Sequence, residues 1–130
     1  MKNIIIDLDG TLTEDIEASY IDKPARMDII EKLQEYRAMG FHITISTSRG
    51  MRSYGGDIGK INVNILPDIL EWLNKHEVPY DSVVVGKPWC GFDGFYIDDK
   101  AIRPSEFANM SYQEIQEILR QELQTSQQNK

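Results

Sequence analysis

The sequence predicts an α/β domain, Rossmann-like and three-layered, with a mainly parallel sheet and helices on both faces. Three observations carry that expectation. Short β-branched runs alternate with segments of helical periodicity, the order expected of strand–helix–strand units. Several of those runs end in residues capable of chemistry, as strands of open parallel sheets do beside their ligands. The 130 residues are enough for one domain with a core of its own. We therefore expect a single domain over 1–124 and a polar, frayed tail over 125–130, Thr-Ser-Gln-Gln-Asn-Lys, which has no apolar face.

Taken in order, the run Asn3-Ile4-Ile5-Ile6-Asp7-Leu8 reads as a strand, and its nearly continuous apolar character suggests cover on both faces. Pro24 prepares a helix to about Met39, with Met27, Ile30, Leu33 and Tyr36 on one face and Gly40 as its left-handed stop. Phe41 to Thr47 is a second strand. The polar, glycine-rich stretch from Ser48 to Asn62 reads as a functional loop. A second helix runs from about Pro67 to His76 with Ile69, Leu70 and Leu73 inward, and Pro79 prevents its continuation. Ser82 to Val85 is the third strand, and Gly94 to Ile97 the fourth. Ser111-Tyr112-Gln113-Glu114 is a capping box that opens a last helix burying Ile115, Ile118, Leu119 and Leu123.

Composition narrows the function. Fourteen basic against 21 acidic residues give a net charge of −7, which disfavours general nucleic-acid binding. No apolar run approaches a membrane span, and Met1-Lys2-Asn3-Ile4 lacks a signal-peptide pattern. The single cysteine, Cys90, forms no internal disulfide, and a cytoplasmic setting is expected. His42 reads as a structural strand residue, and His76 as an imidazolium favoured by the negative end of a helix. Met27, Met39, Met51 and Met110 read as packing residues, and Trp72 as cover for a helix–sheet seam.

The strand ends are more informative. The first strand ends in Asp7-Leu8-Asp9-Gly10-Thr11, the second in Thr47-Ser48-Arg49, the third in Gly86-Lys87-Pro88 and the fourth in Asp98-Asp99. Each of these alone most often ends a strand or starts a turn. Together they put four carboxylates, a hydroxyl and a lysine on one sheet edge. Four carboxylates repel one another unless a cation sits among them, and hard oxygen donors suit Mg²⁺. A lysine and a hydroxyl beside such an ion suit a phosphoryl group.

Asp7-Leu8-Asp9-Gly10-Thr11-Leu12-Thr13 resembles the first motif of the haloacid dehalogenase superfamily of phosphohydrolases. Thr47 resembles its second-motif hydroxyl, Lys87 its third-motif cation and Asp98-Asp99 its acidic fourth motif. Ser46 to Tyr54, Gly59 to Asn62, Val78 to Asp81, Gly86 to Gly91 and Gly94 to Pro104 also resemble a small bacterial branch described as capsular-polysaccharide biosynthesis phosphatases. The resemblance implies a HAD-like fold and an Mg²⁺-dependent phosphomonoester hydrolase. Asp7 would be the nucleophile that forms an aspartyl phosphate, and Asp9 the general acid and base. It implies phosphate binding by Gly10, Thr47 and Lys87, and metal binding by Asp7, Asp9 and Asp98, with Asp99 acting directly or through water.

The segment between Leu12 and the second strand holds only a loop and a helix, so no cap domain is expected. Capless members take large substrates or borrow a neighbour's surface, which makes a homo-oligomer one expected arrangement. Specificity then falls to loop residues: Ser48, Arg49, Arg52 and Trp89 are the candidates for substrate contact. The expected substrate is a small sugar phosphate or related metabolite. Two alternatives stay open here: a phosphatase of polynucleotide ends, and a receiver-like phosphoacceptor module that keeps its phosphoryl group.

Overall fold

The computed structural model describes residues 2–128. The chain divides into two compact units, Met1–Trp89 and Cys90–Lys130. No helix among the described residues is long and apolar enough to cross a membrane.

The first unit is α/β. Its sheet has three parallel strands, β1 (Asn3–Ile6), β2 (His42–Thr47) and β3 (Ser82–Val85), in that spatial order. Parallel neighbours need crossovers. One helix, α1 (Met27–Ala38), lies between β1 and β2 in the chain, and two, α2 (Ile58–Asn64) and α3 (Leu66–Lys75), lie between β2 and β3. The register pairs Ile6 with Ile45 and Thr47 with Val85, so all three strands run out at the same edge. No inserted domain separates these elements. Ile43 and Ile45 of β2, Ile29, Ile30 and Leu33 of α1, Ile61 of α2 and Ile69, Trp72 and Leu73 of α3 are buried together with Leu8 and Leu12.

Helix α1 ends as its sequence implies. Gly40 takes φ +93°, its amide donates to the Arg37 carbonyl, and the Phe41 amide reaches back to Tyr36. The Phe41 and Tyr36 rings meet edge to face at 5.1 Å, the apolar contact that accompanies this stop. Helix α3 makes the same two bonds, Glu77 to Asn74 and Val78 to Leu73, with the non-glycine Glu77 at φ 55°.

Three expectations need correction in this unit. Strand β1 is not covered on both faces: side chains alternate along a strand, and Ile6 is buried on one face while Ile5 on the other is 73% exposed. Met27 is half-exposed at the first position of α1, and Ile29 takes the inward place instead. The Ser48–Asn62 stretch is not all loop. Asp57 caps α2 by accepting the Lys60 amide at 3.1 Å, and Gly59 in the first turn hides the helix from propensity. The glycines serve this packing, since a Cβ on Gly50 would lie 3.1 Å from both Ile61 and Ile65. Trp72 is fully buried. Its indole N–H donates to the Lys23 carbonyl at 2.8 Å and ties α3 to the 3-10 turn Tyr20–Asp22.

The second unit contains α4 (Pro104–Asn109), which the sequence pattern does not reveal, and α5 (Tyr112–Gln128). The capping box forms as read: Ser111 Oγ accepts the Glu114 amide and Glu114 accepts the Ser111 amide. Ile115 is buried, but Leu123 is exposed. Residues 125–128 continue α5 rather than fray, and Thr125 donates to the Gln121 carbonyl. The remainder of the expected tail, 129–130, lies outside the described residues. The expected fourth strand does not form: Gly94 to Ile97 belongs to no strand, with Phe95 77% and Ile97 88% exposed. The run is short and starts from a tight turn, in which a Cβ on Gly94 would lie 2.2 Å from the Cys90 carbonyl oxygen.

Candidate functional site

Beyond β1 the backbone folds at once around one carbonyl. Leu8 C=O accepts the amides of Thr11, Leu12 and Thr13 at 2.9–3.2 Å. Leu8 and Leu12 are fully buried and anchor this turn, leaving Asp7 and Asp9 with about a third of each side chain exposed. Gly10 takes φ +80°, a conformation that favours glycine. Its amide is already spoken for by Thr13 Oγ1 at 3.2 Å.

The next two strand ends add a hydroxyl and a cation. Thr47, at the end of β2, is buried and its Oγ1 accepts the Arg49 amide at 3.0 Å. As a hydroxyl it keeps a proton to donate. Its carbonyl accepts the Lys87 amide at 3.2 Å, which ties the loop after β3 to β2. Gly86 makes that turn at φ +90°, where a Cβ would lie 2.4 Å from Ile58 Cδ1. Lys87 Nζ then lies 3.5 Å from Asp7 Oδ1, and Thr11 donates to Asp7 Oδ2 at 3.3 Å. The structure thus brings Asp7, Thr47 and Lys87 to one sheet edge, as their sequence positions imply.

Arg49 departs from its expected role on the rim. It is 5% exposed and spends its guanidinium on Asp9, with Nε donating to Oδ2 at 3.0 Å and Nη2 to Oδ1 at 2.7 Å. A pair whose bonds are parallel and charge-assisted fixes the carboxylate in plane as well as in place. Two residues that the sequence reading passed over complete this cluster. Lys23 Nζ lies 3.6 Å from Asp9 Oδ1, and the Tyr20 ring covers the Arg49 guanidinium at 4.0 Å. Neither stands in a motif or a periodic run. Only the proline after Lys23, which favours extended backbone there, hints that this loop has a fixed course.

Of the remaining loop candidates, Arg52 and Trp89 come together, the guanidinium 6.0 Å from the indole centre, and both are exposed. Ser48 is half-buried, and its carbonyl accepts the Met51 amide. His76 is not the charged helix end it was expected to be. Burial first, and then neighbouring Lys75, lower its pKa, and it packs against Trp72 at 4.5 Å.

Asp98 and Asp99 belong to the second unit. The Asp98 carboxylate accepts the Lys100 amide at 2.9 Å. Both aspartates line an open cavity of about 480 Å³ with Glu106 and Glu122. Among the described residues, no three His, Cys, Asp or Glu side chains gather closely enough to hold a metal ion.

No family model matches the chain, and no curated protein does. Among solved structures, a crystal structure of an MCSG structural-genomics target from Vibrio cholerae is similar. It shares 57% identity with a TM-score of 0.92, over 94% of this chain and 99% of that one. A D,D-heptose 1,7-bisphosphate phosphatase from B. bronchiseptica, crystallised with magnesium and phosphate, is 21% identical with a TM-score of 0.46. That match covers 73% of this chain and 54% of the other, a likeness too slight to carry a function across.

Proposed function

The chain belongs to the same family as the Vibrio cholerae protein, and we propose that it is a phosphomonoester hydrolase working through an aspartyl phosphate. The observation that supports this most is the Asp7–Lys87 pair at the mouth of a parallel sheet, in a turn that also fixes Asp9. In this reading an Asp7 oxygen attacks phosphorus, and the bond from phosphorus to the ester oxygen breaks. Asp9 gives that oxygen a proton as it leaves. Water then attacks the acyl phosphate, Asp9 takes up a proton, and inorganic phosphate departs with Asp7 restored. Lys87 and the Thr47 hydroxyl bind non-bridging oxygens as negative charge moves onto them.

The donor set suits Mg²⁺. Both Asp7 contacts are long, at 3.5 and 3.3 Å, so the carboxylate retains lone pairs for a hard cation. Such ions are commonly held by one or two protein carboxylates together with the substrate phosphate. We assign the Asp7 carboxylate and the Asp9 carbonyl to that ion. When bound, the ion would screen the approach of carboxylate to phosphate. We take the substrate to be a small phosphorylated metabolite such as a sugar phosphate, with the Arg52–Trp89 pair available to its non-reacting part.

The test is purified protein against a panel of phosphorylated metabolites with Mg²⁺. Phosphate release that stops on chelation and returns with Mg²⁺ is expected. Full activity after exhaustive chelation would remove the metal from the scheme. Release from no member of the panel would remove the phosphatase.

A further inference from the structure

Arg49 poses a problem of cost. A buried guanidinium must be compensated, yet its Nη1 has no hydrogen-bond partner among the described residues. Everything else about it is directed at one carboxylate. Nε and Nη2 take one oxygen each of Asp9, and the main-chain N–H is fixed to Thr47 Oγ1 at 3.0 Å. The aromatic face of Tyr20 closes over the flat of the guanidinium, where cation and ring attract and water is kept out. Lys23 Nζ reaches the same Asp9 oxygen as Nη2, and lies 5.1 Å from the same Tyr20 ring.

The loop that supplies Tyr20 and Lys23 is itself held. Its base is closed by Glu14 N–H to Pro24 C=O at 2.9 Å and Arg26 N–H to Leu12 C=O at 2.8 Å. Its tip is held by Ser19 Oγ on Asp22 at 2.6 Å, and by the fully buried Trp72 on the Lys23 carbonyl at 2.8 Å. These bonds fix the backbone course of the loop that carries both side chains.

We propose that Arg49 is the positioning residue of Asp9, and that Tyr20 and Lys23 complete its holder from the loop between β1 and α1. The inference rests on the phosphatase reading, in which Asp9 handles the proton of the leaving group. The holder sets where that carboxylate stands relative to the scissile oxygen, and misplacing a reacting group by about 1 Å costs on the order of 10²-fold in rate.

The test uses Arg49→Lys, Arg49→Met, Tyr20→Phe and Tyr20→Ala with two substrates: p-nitrophenyl phosphate, whose leaving group departs without a proton, and an alkyl phosphate, whose leaving group needs one. Both Arg49 variants should lower kcat/KM, which reports phosphoryl transfer to Asp7 and not the later hydrolysis common to both esters, by about 10- to 100-fold for the alkyl ester and far less for the aryl ester. Tyr20→Phe keeps the ring over the guanidinium and should lose less than Tyr20→Ala. Tyr20→Ala should lose about five-fold on the alkyl ester, and serves as the informative variant if Arg49 variants fail to fold. A second measurement needs no turnover: the Tm losses of Arg49→Met and Asp9→Asn should be less than additive in the double variant. Additive losses overturn the proposal. Coupled losses with equal effects on kcat/KM for both esters also overturn it, leaving Arg49 a structural partner. If the wild type hydrolyses neither ester, the phosphatase reading fails. A coupled Tm in that inactive protein then reduces Arg49 to the same structural role.

Discussion

Two stretches of this chain look alike on paper and fold differently. Asn3 to Ile6 leads into Asp7-Leu8-Asp9, and Gly94 to Ile97 leads into Asp98-Asp99. The first is strand β1, held in register against β2 and followed by a turn anchored on buried Leu8 and Leu12. The second is no strand, and its apolar side chains Phe95 and Ile97 face solvent. A strand is a relationship with a neighbour, and four apolar residues state only half of it. What distinguishes the two is what surrounds the run. The first continues into leucines that bury themselves, whereas the second starts from a tight glycine turn and continues into exposed polar residues.

The largest expected effect tests the carboxylate at the end of the strand that does form. Asp7→Asn should lower phosphatase turnover by roughly four orders of magnitude or more, the scale on which an enzyme feels the loss of its nucleophile. Its far-UV spectrum should stay unchanged. Phosphate release at more than a few per cent of wild type, with deamidation excluded by mass spectrometry, would reassign the nucleophile.

The lysines extend the contrast. Lys87 follows β3 and faces Asp7 at 3.5 Å, while Lys100 follows Asp98-Asp99 and is exposed. Lys87→Met should cost about 10²–10³ in kcat, as loss of a charge-assisted contact to the developing negative charge does. Lys100→Met should leave steady-state rates within about two-fold, since a solvated lysine contributes little. Comparable losses in both would mean that the second stretch takes part in phosphate binding.

How far the sequence shows all this follows the same division. Parallel order, the three strands of the first unit, the Gly40 stop and the Ser111 box are legible because each is written in local chemistry: β-branched runs, a left-handed glycine, a hydroxyl three residues before a glutamate. Asp7, Thr47 and Lys87 are legible because strand ends in a parallel sheet converge wherever they fall in the chain. Tyr20, Lys23 and the inward turn of Arg49 are not. They depend on the course of one loop, which a hydrogen bond from Trp72, 49 residues away, decides. Helix α2 is hidden for a different reason, since Gly59 lowers the local propensity while Ile61 and Ile65 pack against Gly50 and hold the helix there.

A stability measurement breaks or keeps the contrast directly. Leu8 is fully buried beneath the first turn, and Leu8→Ala should destabilise the fold by about 2–5 kcal/mol. Ile97→Ala, at a side chain 88% exposed, should stay within about 0.5 kcal/mol. Urea unfolding of both variants reads the two values. A loss above about 1.5 kcal/mol for Ile97→Ala would show that this run is packed in solution and that its likeness to β1 goes beyond the sequence.

The smallest effect concerns His76, at the end of α3 and away from every strand end. Burial, with a smaller contribution from Lys75, lowers its pKa from the ordinary 6.5, and its Nε2 is buried without a hydrogen-bond partner among the described residues. A base whose pKa is depressed by folding costs the folded state stability once the unfolded chain starts to take up protons. Above about pH 6.5 it is neutral in both states and contributes no slope. As the pH falls below 6.5, the unfolded chain binds a proton that the folded chain refuses, and stability declines until the folded pKa is passed. His76→Phe retains a ring against Trp72, which His76 meets at 4.5 Å, and removes both the orphaned nitrogen and the titration. Thermal melts between pH 7.5 and 5 should therefore show a shallower fall in Tm for the variant than for the wild type, with the two curves parallel above pH 6.5. Parallel curves over the whole range would mean that His76 takes up its proton as readily in the folded chain as in the unfolded one, and the exposed carboxylates alone would then set the acid sensitivity.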